Sequence, residues 1–217
     1  MYDRHRGGPD GAVEAPRSGI STVQVGIFAV ASGLAVANIY YSQPLIGLIA
    51  PALGLHPGLA GLIVTLIQLG YGAGLLLVVP LSDVSENRRL VLCALGAVVL
   101  GSLGIALSDS AVTFMVASFV VGVFSVATQI LVPFASHLAP ETSRGKVVGT
   151  VMAGLLGGIM LARPFSSYIA ATLGWRAVFY ISAGMMLALL MLLRRVLPQR
   201  QPNSTLTYSQ ILRKLKT

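Results

Sequence analysis

Carboxylates are absent from every long apolar run of this sequence. The seven acidic residues, Asp3, Asp10, Glu14, Asp83, Glu86, Asp109 and Glu141, lie in the ends of the chain or in short breaks between runs. Cysteine is almost absent too: the single Cys93 excludes an internal disulfide framework and a cysteine metal cluster, and reads as a small buried apolar residue. His5, His56 and His137 are far apart, and no nucleophile and base pair or metal-ligand spacing recurs, so neither an enzyme nor a bound metal or cofactor is expected. Charge of either sign is scarce. With 10% charged and 55% hydrophobic residues among 217, the chain has too little polar surface to cover a soluble domain, and its natural solvent is lipid. The net charge of +8 does not signal nucleic acid, because the basic residues sit in the flanks of apolar runs and not in a patch with interleaved aromatics.

What is present is six apolar runs, at about 21–50, 60–80, 89–108, 111–135, 146–171 and 175–196, each near the roughly 20 residues that a spanning helix needs. The fold expected is an all-α membrane protein, a bundle of six transmembrane helices over residues 20–197. The breaks are short, so successive helices are antiparallel neighbours. Residues 1–19, polar and rich in Gly and Pro, read as a disordered cytoplasmic tail. Residues 198–217 read as a cytoplasmic linker, or as a tail whose stretch 208–216 forms a basic amphipathic helix at the membrane surface.

Lysine and arginine mark the orientation, because cytoplasmic loops retain them. One set of flanks carries Arg4, Arg6, Arg17, Arg88, Arg89, Arg144, Lys146, Arg194, Arg195 and further basic residues, and the opposite set only Arg176. Both termini are therefore expected in the cytoplasm, which agrees with an even number of spans.

Polar residues at about 100° per residue identify helices that line a watery space. In the fourth helix Ser118, Gly122, Ser125 and Gln129 share a narrow arc, and in the second Gly61, Thr65, Gln68 and Gly72 do so. In the first, Asn38, Tyr41 and Ser42 share one side, and Pro44 follows as a site for a kink that frees a carbonyl. Helices one, two and four are expected to face the interior of the protein, and three and six to face lipid. Close packing between helices is the competing explanation for the small residues, above all for Gly70 with Gly74 and Gly154 with Gly158, whose spacing lets backbones approach. Arg163 is a cation inside the fifth run beside Pro164. Its counter-charge must come from an anionic substrate, a loop residue or polypeptide outside this chain, unless the side chain snorkels to the interface.

The loop at residues 80–90, PLSDVSENRRL, resembles the signature loop between the second and third helices of the major facilitator superfamily, in which an aspartate and closing basic residues act as a charge latch. Asp83, Arg88 and Arg89 match. Val79 or Pro80 stands near a glycine position of the pattern, Val84 at a basic one and Glu86 at a second glycine, so that Glu86 with Arg88 can replace part of the latch. The stretch 38–45, NIYYSQPL, is similar to the first helix of bacterial drug and sugar efflux members, and 144–146, RGK, and 174–179, GWRAVF, look like their counterparts before and at the start of helices five and six. The fifth helix between Gly149 and Pro164 resembles the antiporter motif of efflux members, with Arg163 where a glycine normally precedes the proline. The fourth-helix arginine implicated in proton coupling in that family is Ser118 here.

The resemblance implies the N-terminal half of a secondary transporter in a bacterial inner membrane, exporting a small organic solute by proton antiport. It implies Asn38, Tyr41, Gln68, Ser125, Gln129 and Arg163 as cavity residues and Asp83, Glu86, Arg88 and Arg89 as the latch. The partners expected are the solute, the lipid bilayer, and a missing C-terminal bundle or a second copy of the chain. An inactive truncated product, a homodimeric half-transporter and a non-transporting sensor or assembly protein are the other readings of the same features.

Overall fold

The computed structural model describes residues 20–83 and 85–197, Asp83 by its backbone only. The two tail readings, over 1–19 and 198–217, lie outside the described residues. Eight α-helices follow in order: α1 (Thr22–Ala37), α2 (Ile46–Ala52), α3 (Leu62–Leu77), α4 (Asn87–Ala106), α5 (Ala111–Phe124), α6 (Ala127–Leu138), α7 (Arg144–Leu173) and α8 (Trp175–Val196). Among the described residues five helical stretches are long and apolar enough to cross a bilayer, with α5 and α6 together forming one of them. The first stretch is the exception, because it is split into α1 and α2.

The split has a local cause. Pro44 offers no N–H, and its ring would strike the carbonyl four residues back in a continuous α-helix. The chain responds by tightening: the N–H groups of Ile39, Tyr40, Gln43 and Leu45 donate to the carbonyls of Val36, Ala37, Tyr40 and Ser42, the three-residue spacing of a 3₁₀ turn. Counting α1 with α2, six spans result. The fourth span also bends, between α5 and α6, which the sequence pattern read as one helix. At the bend the Ser125 hydroxyl donates to the carbonyl of Val121 at 2.7 Å, a back-bond that competes with the helix ladder.

The starts of the helices are signed in the sequence. Ser21 caps α1 in a reciprocal box with Gln24, and Ser110 caps α5 by accepting from the Thr113 N–H. Gly174, at φ 86°, turns the chain from α7 into α8 with no residue to spare.

Spans pair as one with five, two with four and three with six. Glycine makes the first two pairings close. A methyl group added at Gly158 would fall on the backbone of Gly33, and one at Gly33 would meet the carbonyl oxygen of Gly154 at 2.6 Å. Between spans two and four, Gly70 and Gly74 face the backbone of Phe119, Gly122 and Val123 in the same way. Both small-residue pairs are thus backbone contacts, where dispersion is gained because no side chain intervenes. Spans three and six lie side by side and expose large apolar residues such as Leu100, Leu107 and Met191.

At one end of the bundle Phe114, Trp175 and Phe179 stack edge to face, and Arg176 lies over the Trp175 ring at 4.5 Å. Arg176 also donates to the Ser108 carbonyl at 2.8 Å and pairs with Asp109 at 3.3 Å. Arg176 therefore ties the start of α8 to the loop between α4 and α5.

Candidate functional site

Spans one, two and five meet over a small apolar floor of Val36, Ile39, Ile67 and Leu155, separate from the main core. Tyr40 and Tyr71 pack against this floor from above, and each leads to a polar group. On one side Gln129, from α6 in span four, donates its amide to the Tyr71 hydroxyl at 2.9 Å. On the other side Arg163 donates through Nε and Nη2 to the Oε1 of Gln43, at 3.1 and 2.8 Å, and its guanidinium lies 6.0 Å from the centre of the Tyr40 ring. Gln68, Gln129 and Arg163 are exposed on the surface of the chain. One face of the bundle thus carries polar groups from spans one, two, four and five around an apolar centre.

The expected cavity residues divide in two. Gln129 and Arg163 are exposed and reach the tyrosines packed on the floor, and Gln68 is exposed one residue after Ile67, whereas Asn38, Tyr41 and Ser125 are almost fully buried within the bundle. Asn38 donates its amide to the carbonyl of Leu34 at 2.9 Å and accepts from the Ser182 hydroxyl of span six, so its polarity holds two spans together and does not open onto the face. Tyr41 stacks on Phe165. Ser125 is spent on the back-bond at the bend. A regular 100° count cannot follow a span through a 3₁₀ turn or a bend, and both interruptions fall at these residues. The arc in span four fails for a second reason: Ser118 and Gly122 are buried, and Gly122 serves the contact with span two. In span two the arc does lie outward, with Gly61, Thr65 and Gln68 exposed.

Two residues of the face were not among the candidates. Gln43 lay inside the quoted first-helix stretch, but only the fold brings it to Arg163, 120 positions away. Tyr71 is half-buried among apolar neighbours and gives no sign in sequence that its hydroxyl meets Gln129.

Among the described residues Arg163 has no carboxylate in ion-pair reach, and the ion pairs there are Arg89 with Glu86, at 2.8 Å, and Arg176 with Asp109. Gln43 supplies hydrogen bonds without charge. A guanidinium at the centre of a membrane helix disfavours insertion by about 2.5–3.5 kcal/mol on translocon scales, and a neutral amide offsets only the hydrogen-bonding part of that.

At the opposite end the loop between α3 and α4 packs against α6. Glu86 holds Arg89 there, and Arg88 donates to the carbonyl of Arg194 in the last turn of α8, where a cation also meets the negative end of the helix dipole. Among the expected latch residues, Glu86, Arg88 and Arg89 are thus in charge-assisted contacts. The Asp83 side chain lies outside the described residues.

A six-span, all-helical apolar bundle with polar residues exposed on one side and a charged loop after its second span defines a multi-pass membrane protein. Residues 28–215 match the family model of the Major Facilitator Superfamily, and the chain belongs to that family. It is 44% identical over 197 residues to the "Putative uncharacterized transporter YgaY" of Escherichia coli strain K12, covering 91% of this chain and 50% of that protein. It is 33% identical over 178 residues to the "Probable transporter SCO4007" of Streptomyces coelicolor, covering 82% of this chain and 41% of that one. The chain spans about half the length of the curated relatives it matches. Among solved structures, the human organic anion transporter MFSD10 (TETRAN) superposes with a TM-score of 0.65 at 15% identity, over 85% of this chain and 51% of that one, a likeness of fold.

Proposed function

We propose that this chain forms one wall of the solute path of a secondary transporter, exporting a small organic solute in exchange for protons across a bacterial inner membrane. The observation that carries the reading is the face where Arg163 with Gln43 and Gln129 with Tyr71 surround an apolar floor. Polar and cationic groups turned outward from a membrane bundle are unfavourable in lipid. They fit a water-filled cleft closed by a second body, which is what alternating access requires. A further six-helix bundle or a second copy of this chain supplies that body.

Efflux and antiport rest on the resemblance of the fifth helix to the antiporter motif, whose Gly154 and Gly158 here set α7 against α1. No carboxylate sits within the described spans, and the residue at the coupling position of helix four, Ser118, is buried. The exchanged proton therefore travels on a group of the second body or on the solute. Glu86, Arg88 and Arg89, with Asp83, form the cytoplasmic latch, acting on the balance between inward-open and outward-open states and touching no solute.

Vesicles holding many copies, loaded with organic dyes and given an acid exterior or interior, test the reading. Dye movement that follows the proton gradient is expected where copies pair through the face; its absence for every dye in vesicles whose protein is dimeric contradicts transport by this face. The orientation, with both ends of the chain in the cytoplasm, predicts that reporters fused at Ser18 and Ser204 are active only inside the cell. An externally active reporter at either point contradicts it.

A further inference from the structure

The uncompensated charge of Arg163 sits beside donors that the bundle itself does not use. A guanidinium can only donate, so Gln43 must turn its oxygen toward Nε and Nη2. That choice fixes the other half of the amide: the Nε2 group of Gln43, with two N–H donors, has no acceptor among the described residues. The Tyr40 hydroxyl, at the ring beside the guanidinium, has none either. Nη1 of Arg163 likewise remains free of a partner among the described residues. Gln43 Nε2, the Tyr40 hydroxyl and Arg163 Nη1 are thus donors left near one positive charge, and the Gln43 oxygen is already taken by the guanidinium.

The backbone adds to this. Gln43 opens the 3₁₀ turn at which the first span is broken, and Pro44 follows it. Irregular backbone at membrane depth is tolerated where it is buried in protein or lines a cavity, and discontinuous helices are where transporter sites form. Arg163 itself lies ten residues before the end of the 30-residue α7, about 15 Å along the helix. Its side chain is held against the first span by Gln43, which keeps it on the polar face.

Resting on the reading of that face as a solute path, we propose that Arg163, Gln43 and Tyr40 form a subsite for an oxyanion, the carboxylate of an organic solute. Gln43 is a positioning residue: by accepting along one side of the guanidinium, it leaves Nη1 and its own Nε2 to bind the two carboxylate oxygens. Charge-assisted hydrogen bonds of this kind give both affinity and orientation. A neutral isostere of the same shape offers one acceptor and no charge, and the site discriminates against it.

The test uses the whole chain in nanodiscs and two photoreactive probes, benzophenone-4-carboxylate and its primary amide. The carboxylate is expected to label the segments around Tyr40 and Arg163, to be displaced by benzoate and not by benzamide, and to exceed labelling by the amide at least about ten-fold, the weight of one charge-assisted hydrogen bond. Arg163→Gln should lose the preference. Gln43→Glu keeps the arginine and gives it an internal counter-ion, so it should fold at least as well as the parent and still lose carboxylate labelling about ten-fold. Equal labelling by the two probes, or carboxylate labelling unchanged in Gln43→Glu, overturns the subsite. Nanodiscs of neutral and of anionic phospholipid separate the sources of the oxyanion: labelling that vanishes in anionic lipid assigns the site to a headgroup and overturns the solute. Carboxylate binding without gradient-driven flux would contradict the transport reading and leave the subsite standing, whereas flux indifferent to Arg163→Gln would do the reverse.

Discussion

Gly158→Leu is expected to abolish recovery of folded protein from the membrane. Gly158 and Gly33 meet backbone to backbone, and the atoms that a side chain at 158 would strike are the carbonyl and Cα of Gly33, not the end of a flexible side chain. Even alanine there must push span five away from span one. In a helix, alanine in place of glycine is worth about 0.5–1 kcal/mol, whereas overpacking a tight contact costs about 1–3 kcal/mol and occasionally more, so the contact wins and Gly158→Ala destabilises. Gly157 supplies the control, because a methyl group there meets nothing within 4 Å. Gly157→Ala should be neutral or mildly stabilising. Thermal unfolding in mild detergent separates the two, and equal midpoints would show that the glycine contact between the spans is looser than described.

One copy of the chain in a vesicle is expected to move no solute at all. The apolar floor comes from spans one, two and five, the polar groups from these and span four, and Gln68, Gln129 and Arg163 are exposed. Alternating access needs two bodies rocking about a site between them. A lone bundle would also hold Arg163 toward lipid without a counter-ion, which favours pairing through the face or degradation. Mass measurement in mild detergent should therefore find either a dimer or a short-lived product, with flux scaling steeply with copies per vesicle. Flux from vesicles that hold a single copy would overturn the half-pathway account.

The spans were legible in the sequence because lipid leaves little choice: long apolar runs must be helices, and charged or proline-containing breaks must be loops. The sixth run, about 175–196, is α8 to the residue, and the glycine pairs 70 with 74 and 154 with 158 are the contacts their spacing implied. Which polar residues face outward was legible only where helices are regular. Gln68 lies in the uninterrupted α3 and faces out as its arc requires. Asn38 precedes a 3₁₀ turn and Ser125 ends α5, and there polarity is consumed in holding spans together or bending them, which composition cannot distinguish from lining a cavity. Gln43 and Tyr71 show the converse. Their partners are 120 and 58 positions away, so their role exists only once the spans pack.

The face bearing Gln68 and Gln129 is expected to be wet. Cys93, read from its apolar run as buried, is instead exposed on α4, so the measurement starts from Cys93→Ser, into which single cysteines are placed at Gln68, Gln129, Leu100 and Leu187. All four positions are exposed on the chain, the last two on the apolar spans three and six. A thiol reacts as its thiolate, which apolar surroundings suppress and water permits, so a polar methanethiosulfonate should modify positions 68 and 129 at least about ten times faster than 100 and 187. Equally slow modification of all four in the native membrane would show that the face is covered by lipid or dry protein, and would contradict the account.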